Sequence, residues 1–226
     1  MNTLPKSLKN LCAAAALLAL GSASAATVAW ADWTSLSTDL KSATGTMGGV
    51  GVTVTAANAM NGVSQLSGPG NCTNYWTQGT DPAYTGGSVS NAPTACEQLG
   101  LNVANRITVN FSSAVSVLYM GLLSVGQNGL PVTYSFDQAF SVDSEGDGFW
   151  GNDATDGVQA GNNLTMREFH GVVRFAAPVT SVTFSSGAEN WHAFTLGSGT
   201  VPEPTSLALV GAALLAAGAA ARRRQR

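Results

Sequence analysis

The sequence predicts an all-β fold, an antiparallel β-sandwich or jelly roll, for residues 26–200. Short stretches of this region alternate apolar and polar side chains with a period of two, as strands with one buried face do. Gly, Asn, Asp and Pro separate the stretches, and these residues favour turns. A seven-residue pattern also occurs twice, each time where one stretch is followed by the next. Several short strands at such spacing are typical of sandwiches and jelly rolls.

Alternation identifies the candidate strands along the chain. In Val50–Ala56 the valines occupy alternate positions, and in Val132–Phe136 the residues Val, Tyr and Phe do the same. The same criterion, applied in chain order, gives nine candidate strands: Thr27–Trp33, Val50–Ala56, Arg106–Phe111, Ser116–Val125, Val132–Phe136, Thr165–Phe169, Gly171–Phe175, Ser181–Ser185 and Trp191–Leu196.

The repeated pattern predicts two equivalent corners. Residues 109–115 read VNFSSAV, and residues 173–179, which start 64 positions later, read VRFAAPV. In both, a strand ends on Phe, three residues form a corner, and Val opens the next strand. Such a corner can carry a chain from one packed sheet to the other. We expect one sandwich rather than two domains, because 64 residues are few for each half to close a core.

Residues 1–25 read as a signal peptide. Lys6 and Lys9 form a basic start, Leu11–Leu20 is apolar, and Ala23–Ala25 supplies the small residues that signal peptidase needs. We expect cleavage after Ala25, followed by export of residues 26–200.

Residues 201–226 form a second topogenic segment. Val201, Pro202, Glu203 and Pro204 precede the apolar stretch Ser206–Ala221. As a helix this stretch would extend about 24 Å at 1.5 Å per residue, against a hydrocarbon core of roughly 30 Å. It therefore predicts a short transmembrane helix that holds the protein temporarily in the inner membrane, with the domain in the periplasm. The positive-inside rule places the basic end in the cytoplasm; its residues are Arg222, Arg223, Arg224 and Arg226.

The order of Val-Pro-Glu-Pro, apolar stretch and arginine cluster resembles the PEP-CTERM sorting signal of Gram-negative bacteria. The resemblance implies recognition by an exosortase-type membrane protease, removal of the tail, and release or attachment at the cell surface. Such proteins usually accompany exopolysaccharide or biofilm gene clusters, so the resemblance also implies exopolysaccharide as a partner. An ordinary C-terminal membrane anchor is the alternative.

Residues 26–200 resemble, over most of their length, a recurrent extracellular domain of PEP-CTERM proteins. The resemblance implies a β-sandwich and export, and no activity. The segments that carry it are Ala31–Ser35, Thr73–Trp76, Gly129–Phe136, Phe149–Asn152 and Glu189–Thr195.

The net charge of residues 26–200 disfavours some classes of ligand. The whole chain has a net charge of −3, but residues 26–200 hold four basic and twelve acidic side chains, which gives −8. A nucleic-acid partner is disfavoured, because nucleic-acid binding needs a basic surface. Cations and neutral sugars fit this charge better.

Cys72 and Cys96 are the two cysteines that remain once the signal peptide is removed. In an exported protein an even pair predicts a disulfide. Closing a loop of this length stabilises the fold by about 3–4 kcal/mol on the chain-entropy model.

An acidic loop is predicted at residues 143–148, which read DSEGDG. Asp143, Glu145 and Asp147 can converge on a hard cation, and Asp153 can add a ligand, since Ca²⁺ takes about six to eight oxygens. An EF-hand would require Glu where Ala154 stands, and flanking helices. The alternative to a calcium site is a solvated turn.

Three aromatic residues are candidate ligand contacts. Phe149 and Trp150 follow the acidic residues directly, and Trp76 comes four residues after Cys72. Exposed rings beside carboxylates and amides are typical of a carbohydrate-binding face. Burial of the same rings in the sandwich core is the alternative.

The two histidines are His170 and His192. Glu168 precedes the first by two residues and Glu189 precedes the second by three, so a two-histidine and carboxylate metal site is conceivable. We favour structural roles, because nothing in the sequence brings the two histidines together.

Motifs of hydrolases and nucleotide-binding enzymes do not occur in the sequence. There is no Gly-x-Ser-x-Gly, no His-Glu-x-x-His and no phosphate-binding loop. We therefore expect a non-enzymatic, exported surface or matrix protein that needs no cofactor, with Ca²⁺ as the one candidate ion. The alternatives are a calcium-assisted carbohydrate-binding module and, less favoured, a glycan-active enzyme.

Overall fold

The computed structural model describes residues 25–65, 72–151, 157–175 and 178–199. The predicted signal peptide and the predicted transmembrane segment lie outside these residues. Among the residues described, no helix is long and apolar enough to cross a membrane.

Within the described ranges the fold is all-β, and the predicted antiparallel sandwich is confirmed. The strands are β1 (Val28–Trp30), β2 (Asp32–Leu36), β3 (Ser42–Met47), β4 (Val50–Ala56), β5 (Asn61–Gln65), β6 (Gln98–Leu101), β7 (Asn105–Val115), β8 (Val117–Val125), β9 (Val132–Phe136), β10 (Phe140–Glu145), β11 (Gly157–Ala160), β12 (Asn163–Met166), β13 (Phe169–Phe175), β14 (Val179–Ser186) and β15 (His192–Gly199).

The strands form two sheets. The seven-stranded sheet has the order β10-β13-β8-β15-β6-β5, and β1 adds to it by pairing with β15. The eight-stranded sheet has the order β11-β12-β9-β14-β7-β4-β3-β2. The predicted strand Thr27–Trp33 is in fact two strands, because β1 joins one sheet and β2 the other, with Ala31 between them.

The two predicted corners do carry the chain between the sheets. The chain passes from β7 to β8 and later from β13 to β14, each time changing sheet. The three-residue corner is wrong for the first copy, since residues 112–114 continue β7 and the chain changes sheet at Ser116. In the second copy, residues 176 and 177 lie outside the described ranges.

The main hydrophobic core lies between the two sheets. In the eight-stranded sheet, strands such as β4 and β9 alternate buried and exposed residues, so one face is apolar and the other faces solvent. Trp33, Phe184 and Phe194 are among the fully buried side chains of this core.

The seven-stranded sheet is buried on both faces, as the nearly continuous burial of β8, β13 and β15 indicates. Residues 72–97, which we call the covering segment, lie on its outer face. Trp76 and Tyr84 of this segment belong to a second buried cluster together with Val117, Tyr119 and Leu123 of the sheet.

Covalent and polar contacts hold the covering segment. The predicted disulfide between Cys72 and Cys96 is present, with their Cα atoms 5.7 Å apart. Asn91 accepts a hydrogen bond from the Val28 N–H at 2.8 Å. The disulfide therefore joins the two ends of the segment, and Asn91 attaches the segment to β1.

Candidate functional site

An aromatic cluster lies at one end of the seven-stranded sheet. Tyr75, Phe149, Trp150 and Trp191 form it, and we call it the aromatic platform. Tyr75 stacks on Trp150 with ring centroids 5.2 Å apart and an interplanar angle of 17°. Phe149 meets both of these rings edge-on, at 5.0 and 4.7 Å, and Trp191 lies 5.7 Å from Trp150. Each ring thus fixes its neighbours.

A tight turn projects two of these rings. Gly148 and Gly151 exchange backbone hydrogen bonds of 3.1 and 3.2 Å, which leaves Phe149 and Trp150 at the tip of a two-residue loop. Gly151 has a φ of 94°, a conformation that favours glycine. A Cβ atom on Gly148 would overlap the imidazole of His170. As a result Phe149 and Trp150 remain 42% and 49% exposed although both are large and aromatic.

His170 is buried directly beside Trp150. The two rings are nearly parallel, with centroids 6.3 Å apart. The Tyr84 hydroxyl and the Ser124 N–H both approach Nδ1, at 3.2 and 3.4 Å, so we assign the ring proton to Nε2. Glu168 Oε1 lies 3.6 Å from Nε2. The imidazole therefore contacts Tyr84 of the covering segment, Ser124 of β8 and the Glu168 carboxylate.

Irregular backbone places these groups. The register of β13 against β8 shifts between Phe169 and Gly171, so Leu123 and Ser124 of β8 form a β-bulge opposite His170. Ser124 and Glu168 have φ angles of 53° and 52°, and the Ser124 hydroxyl donates to Glu168 Oε1 at 2.5 Å. Bulges and positive φ angles are common next to functional sites, because they redirect side chains that a regular strand would place elsewhere.

The pKa of Glu168 reflects these contacts. Burial raises the pKa, but the contacts with His170 and Ser124 outweigh burial, so the net pKa lies below its ordinary value. The carboxylate therefore remains ionised at neutral pH, at the margin of the platform.

A second buried pair supports Trp191. Glu189 accepts a hydrogen bond from the Gly126 N–H at 2.9 Å, and its Oε1 lies 2.5 Å from His192 Nδ1 without forming an aligned hydrogen bond. Both side chains are buried. The two histidines thus belong to separate carboxylate pairs, and the structural roles expected for them remain a prediction.

The aromatic ligand contacts predicted from the sequence divide into two groups. Phe149 and Trp150 lie together on the surface, where a ligand can reach them. Trp76 is only 2% exposed and packs edge-on against Tyr84 in the second buried cluster, so its prediction as a ligand contact is corrected. Tyr75 and Trp191 were missed, although each is an aromatic residue next to a residue that was singled out, Trp76 and His192.

The predicted acidic loop is also corrected. Asp143 and Glu145 lie in strand β10, and Asp143 occupies a bulge where it accepts hydrogen bonds from Ser88, at 2.9 Å from the N–H and 2.6 Å from the hydroxyl. Asp147 follows the strand, and its Oδ2 lies 3.4 Å from the Thr80 hydroxyl. In a regular strand the side chains of residues two apart, such as Asp143 and Glu145, point to the same face, and the bulge at Asp143 interrupts this regularity.

A calcium site at these residues remains a prediction. Asp153 lies outside the described residues. Within the described part of the chain, no three His, Cys, Asp or Glu side chains are close enough to share a metal ion. Burial, followed by the nearby charge of Asp81, raises the pKa of Glu145.

Comparison with known proteins assigns the end of the chain. Residues 200–224 match the family model of the PEP-CTERM protein-sorting motif. The chain carries a PEP-CTERM sorting signal. The predicted sorting residues Val201–Pro204 fall inside this match, as do Arg222–Arg224 of the basic end. These residues, together with Arg226, lie outside the part of the chain that the structure describes.

The PEP-CTERM signal implies export with processing by an exosortase, which is a membrane protease. No curated protein and no solved structure matches the chain. The resemblance of residues 26–200 to a recurrent extracellular domain therefore stays a prediction.

Proposed function

We propose that this PEP-CTERM protein is a non-catalytic component of the cell surface or extracellular matrix that binds the cell's exopolysaccharide through the aromatic platform. The proposal depends mainly on one observation. Phe149 and Trp150 remain 42% and 49% exposed at the tip of the turn that Gly148 and Gly151 close with backbone hydrogen bonds. Burying two large aromatic side chains would stabilise the fold by roughly 1.5–3 kcal/mol each, so their exposure favours a binding role.

The platform suits a sugar ligand. The C–H faces of a pyranose ring pack against aromatic faces, while carboxylates and amides at the rim bind its hydroxyls. The rings of the platform hold each other at centroid distances of 4.7–5.7 Å. A preformed platform loses little conformational entropy on binding, which favours affinity even for a single sugar unit.

The non-catalytic part of the proposal is supported by the structural contacts of three carboxylates near the platform. Asp143 binds Ser88, Glu168 binds Ser124, and Glu189 binds the Gly126 N–H. Each is thus occupied by a structural contact. The sequence also lacks the motifs of common hydrolases.

Affinity electrophoresis of the processed protein, in gels that contain exopolysaccharide from the producing cells, tests the proposal. We expect the polysaccharide to retard the protein, and Phe149→Ala and Trp150→Ala to weaken this retardation at least about tenfold, as loss of an aromatic hot spot of about 1.4 kcal/mol or more does. Leu130→Ala is the matched control, because Leu130 is 50% exposed and apolar but takes no part in the platform. Equal retardation of Trp150→Ala and the parent protein would contradict the proposal.

Two further arms separate the alternatives. EDTA should leave the retardation unchanged; its loss in EDTA and return with Ca²⁺ would favour calcium-assisted binding instead. Prolonged incubation should leave the chain length of the polysaccharide unchanged. New reducing ends would show that the protein is an enzyme.

A further inference from the structure

The chemistry of the platform and its surroundings selects among polysaccharides. We propose that the platform recognises an amino-sugar polymer whose hexosamine units carry free ammonium groups, and that it discriminates against polymers of uronic acids. This inference rests on the proposed function, because it presupposes that the platform binds a polysaccharide.

The aromatic rings themselves attract cations. The face of an aromatic ring carries partial negative charge, so an ammonium group near it gains about 0.5–1 kcal/mol at an exposed site. Trp binds cations best among the aromatic side chains, and the platform holds two, Trp150 and Trp191, at 5.7 Å from each other. A neutral hydroxyl in the same place gains no such attraction.

The chain segments that build the platform are acidic. They are residues 72–81, 143–151, 167–170 and 187–192, and their one basic side chain is Arg167. Their acidic side chains are Asp81, Asp143, Glu145, Asp147, Glu168 and Glu189.

Two of these acidic residues, Asp81 and Asp147, have no basic partner among the described residues and lie in the chain segments that build the platform. The Asp147 N–H donates to the Asp81 carbonyl at 2.6 Å, which brings the two residues together two positions before Phe149. The Asp147 carboxylate makes only long contacts, at 3.4 Å to the Thr80 hydroxyl and 3.5 Å to the Asp81 N–H. Among the described residues, the ion pairs join Glu168 to His170 and Glu189 to His192, and they include neither aspartate.

The Glu168 carboxylate, which lies beside the buried imidazole under Trp150, adds a third negative charge. His170 is completely buried, and its Nε2 has no hydrogen-bond partner and faces the Glu168 carboxylate at 3.6 Å. The hydrogen bond from the Ser124 hydroxyl holds the half-buried Glu168 next to this imidazole. The negative charge of Asp81, Asp147 and Glu168 would attract an ammonium group bound on the platform and repel a uronate.

Isothermal titration calorimetry with three probes of equal length tests the inference: a glucosamine oligomer with free amines, the same oligomer fully N-acetylated, and an oligouronate. For the processed protein we expect the free amine to bind about tenfold more tightly than the acetylated probe at low ionic strength, with a smaller difference at physiological salt. The oligouronate should bind more weakly than either.

Variants separate this inference from the proposed function. Asp147→Asn should weaken binding of the free amine roughly two- to fivefold, as loss of an exposed charge contact does, and leave the acetylated probe unaffected. Asp39→Asn, which removes an exposed carboxylate from the β2–β3 turn, is the control and should change neither. Trp150→Ala should weaken both probes.

The outcomes are distinguishable. If the amine and acetylated probes bind equally, or if Asp147→Asn weakens both alike, the charge selection is wrong while the binding role of the platform stands. If no probe binds and the cells' own exopolysaccharide does not bind either, the proposed function itself is wrong.

Discussion

The two sheets of this sandwich differ in what lies on their outer faces. In the eight-stranded sheet, β4 and β9 alternate buried and exposed residues, and the outer face meets solvent. In the seven-stranded sheet, β8 and β15 are buried on both sides because the covering segment lies on them. Residues 72–97 therefore convert the outer face of one sheet into a second core, and the aromatic platform lies where this added layer ends.

The outer, solvent-facing side of the eight-stranded sheet, which we call the open face, carries threonine side chains. Threonine hydroxyls of neighbouring strands contact each other across it, at 3.3 Å between Thr108 and Thr183 and at 2.9 Å between Thr133 and Thr165. Such cross-strand pairs stabilise a solvated sheet by a few tenths of a kcal/mol or more. The candidate site belongs instead to the covered sheet, where loops from distant parts of the chain meet.

Removing Trp76 should have the largest effect on stability. Trp76→Ala deletes a fully buried ring of the second core, and we expect the free energy of unfolding to fall by about 3–5 kcal/mol, because the cavity cannot collapse completely. Thr53→Ala on the open face of β4 is the control and should change stability by less than about 0.5 kcal/mol. Urea denaturation of both variants measures the difference.

The opposite order of the two effects would contradict this prediction. If Trp76→Ala lowers the free energy of unfolding no more than Thr53→Ala does, the covering segment does not form a core with the sheet. The outer faces of the two sheets would then not differ in burial.

Breaking the disulfide should have the next largest effect. In Cys72→Ser combined with Cys96→Ser, the unfolded chain regains the entropy of a loop of 24 residues, and we expect stability to fall by about 3 kcal/mol. Tyr75 lies three residues from Cys72, so binding of exopolysaccharide should weaken as well. Thermal denaturation and affinity electrophoresis of the double variant check both effects. Unchanged binding with reduced stability would mean that the disulfide is not needed to hold Tyr75 in the platform.

The sequence predicted the open sheet better than the covered one. Val50–Ala56 and Val132–Phe136 were predicted to the residue, because a strand with one solvated face displays its alternation directly. The sequence predicts a loop at residues 143–148, whereas β10 extends to Glu145, because Asp143 and Ser144 bind the covering segment, which is far away in sequence. The prediction for Trp76 is wrong for the same reason, since nothing in the neighbouring sequence indicates that this ring is buried against a sheet.

The candidate site was predicted only in part. Glycines on both sides of Phe149 and Trp150 indicate a turn, and a turn exposes the residues at its tip. Tyr75 and Trp191 join these rings only through the fold, across 74 and 41 positions of sequence from Phe149 and Trp150 respectively. Periodicity carries no information about such contacts.

The stability contributions of Glu168 and Glu145 should respond to pH in opposite directions. The pKa of Glu168 is lower in the folded state than its unfolded value near 4.5, so the ionised carboxylate stabilises the fold above that pH. This stabilising contribution is lost as the pH falls through the folded pKa. Glu168→Gln should therefore destabilise the protein at neutral pH, by less than about 1 kcal/mol because the group is half exposed.

Glu145 should behave in the reverse way. Burial and Asp81 raise its pKa, so its ionised form is unfavourable in the folded state and its stabilising contribution is present only below pH 4.5. Glu145→Gln should stabilise the protein slightly at neutral pH, and the gain should vanish as pH falls below 4.5. Thermal denaturation at pH 7 and pH 4 measures both variants; effects of the same sign would contradict the contacts described for these carboxylates.

Hydrogen–deuterium exchange of the processed protein, with and without the cells' exopolysaccharide, shows which sheet carries the binding site. We expect the polysaccharide to slow exchange in residues 72–81, 147–151 and 187–191, which carry the platform, and to leave β3 and β4 of the open sheet unchanged. Slower exchange confined to β3 and β4, with no change at the platform, would contradict the assignment of the binding site to the covered sheet.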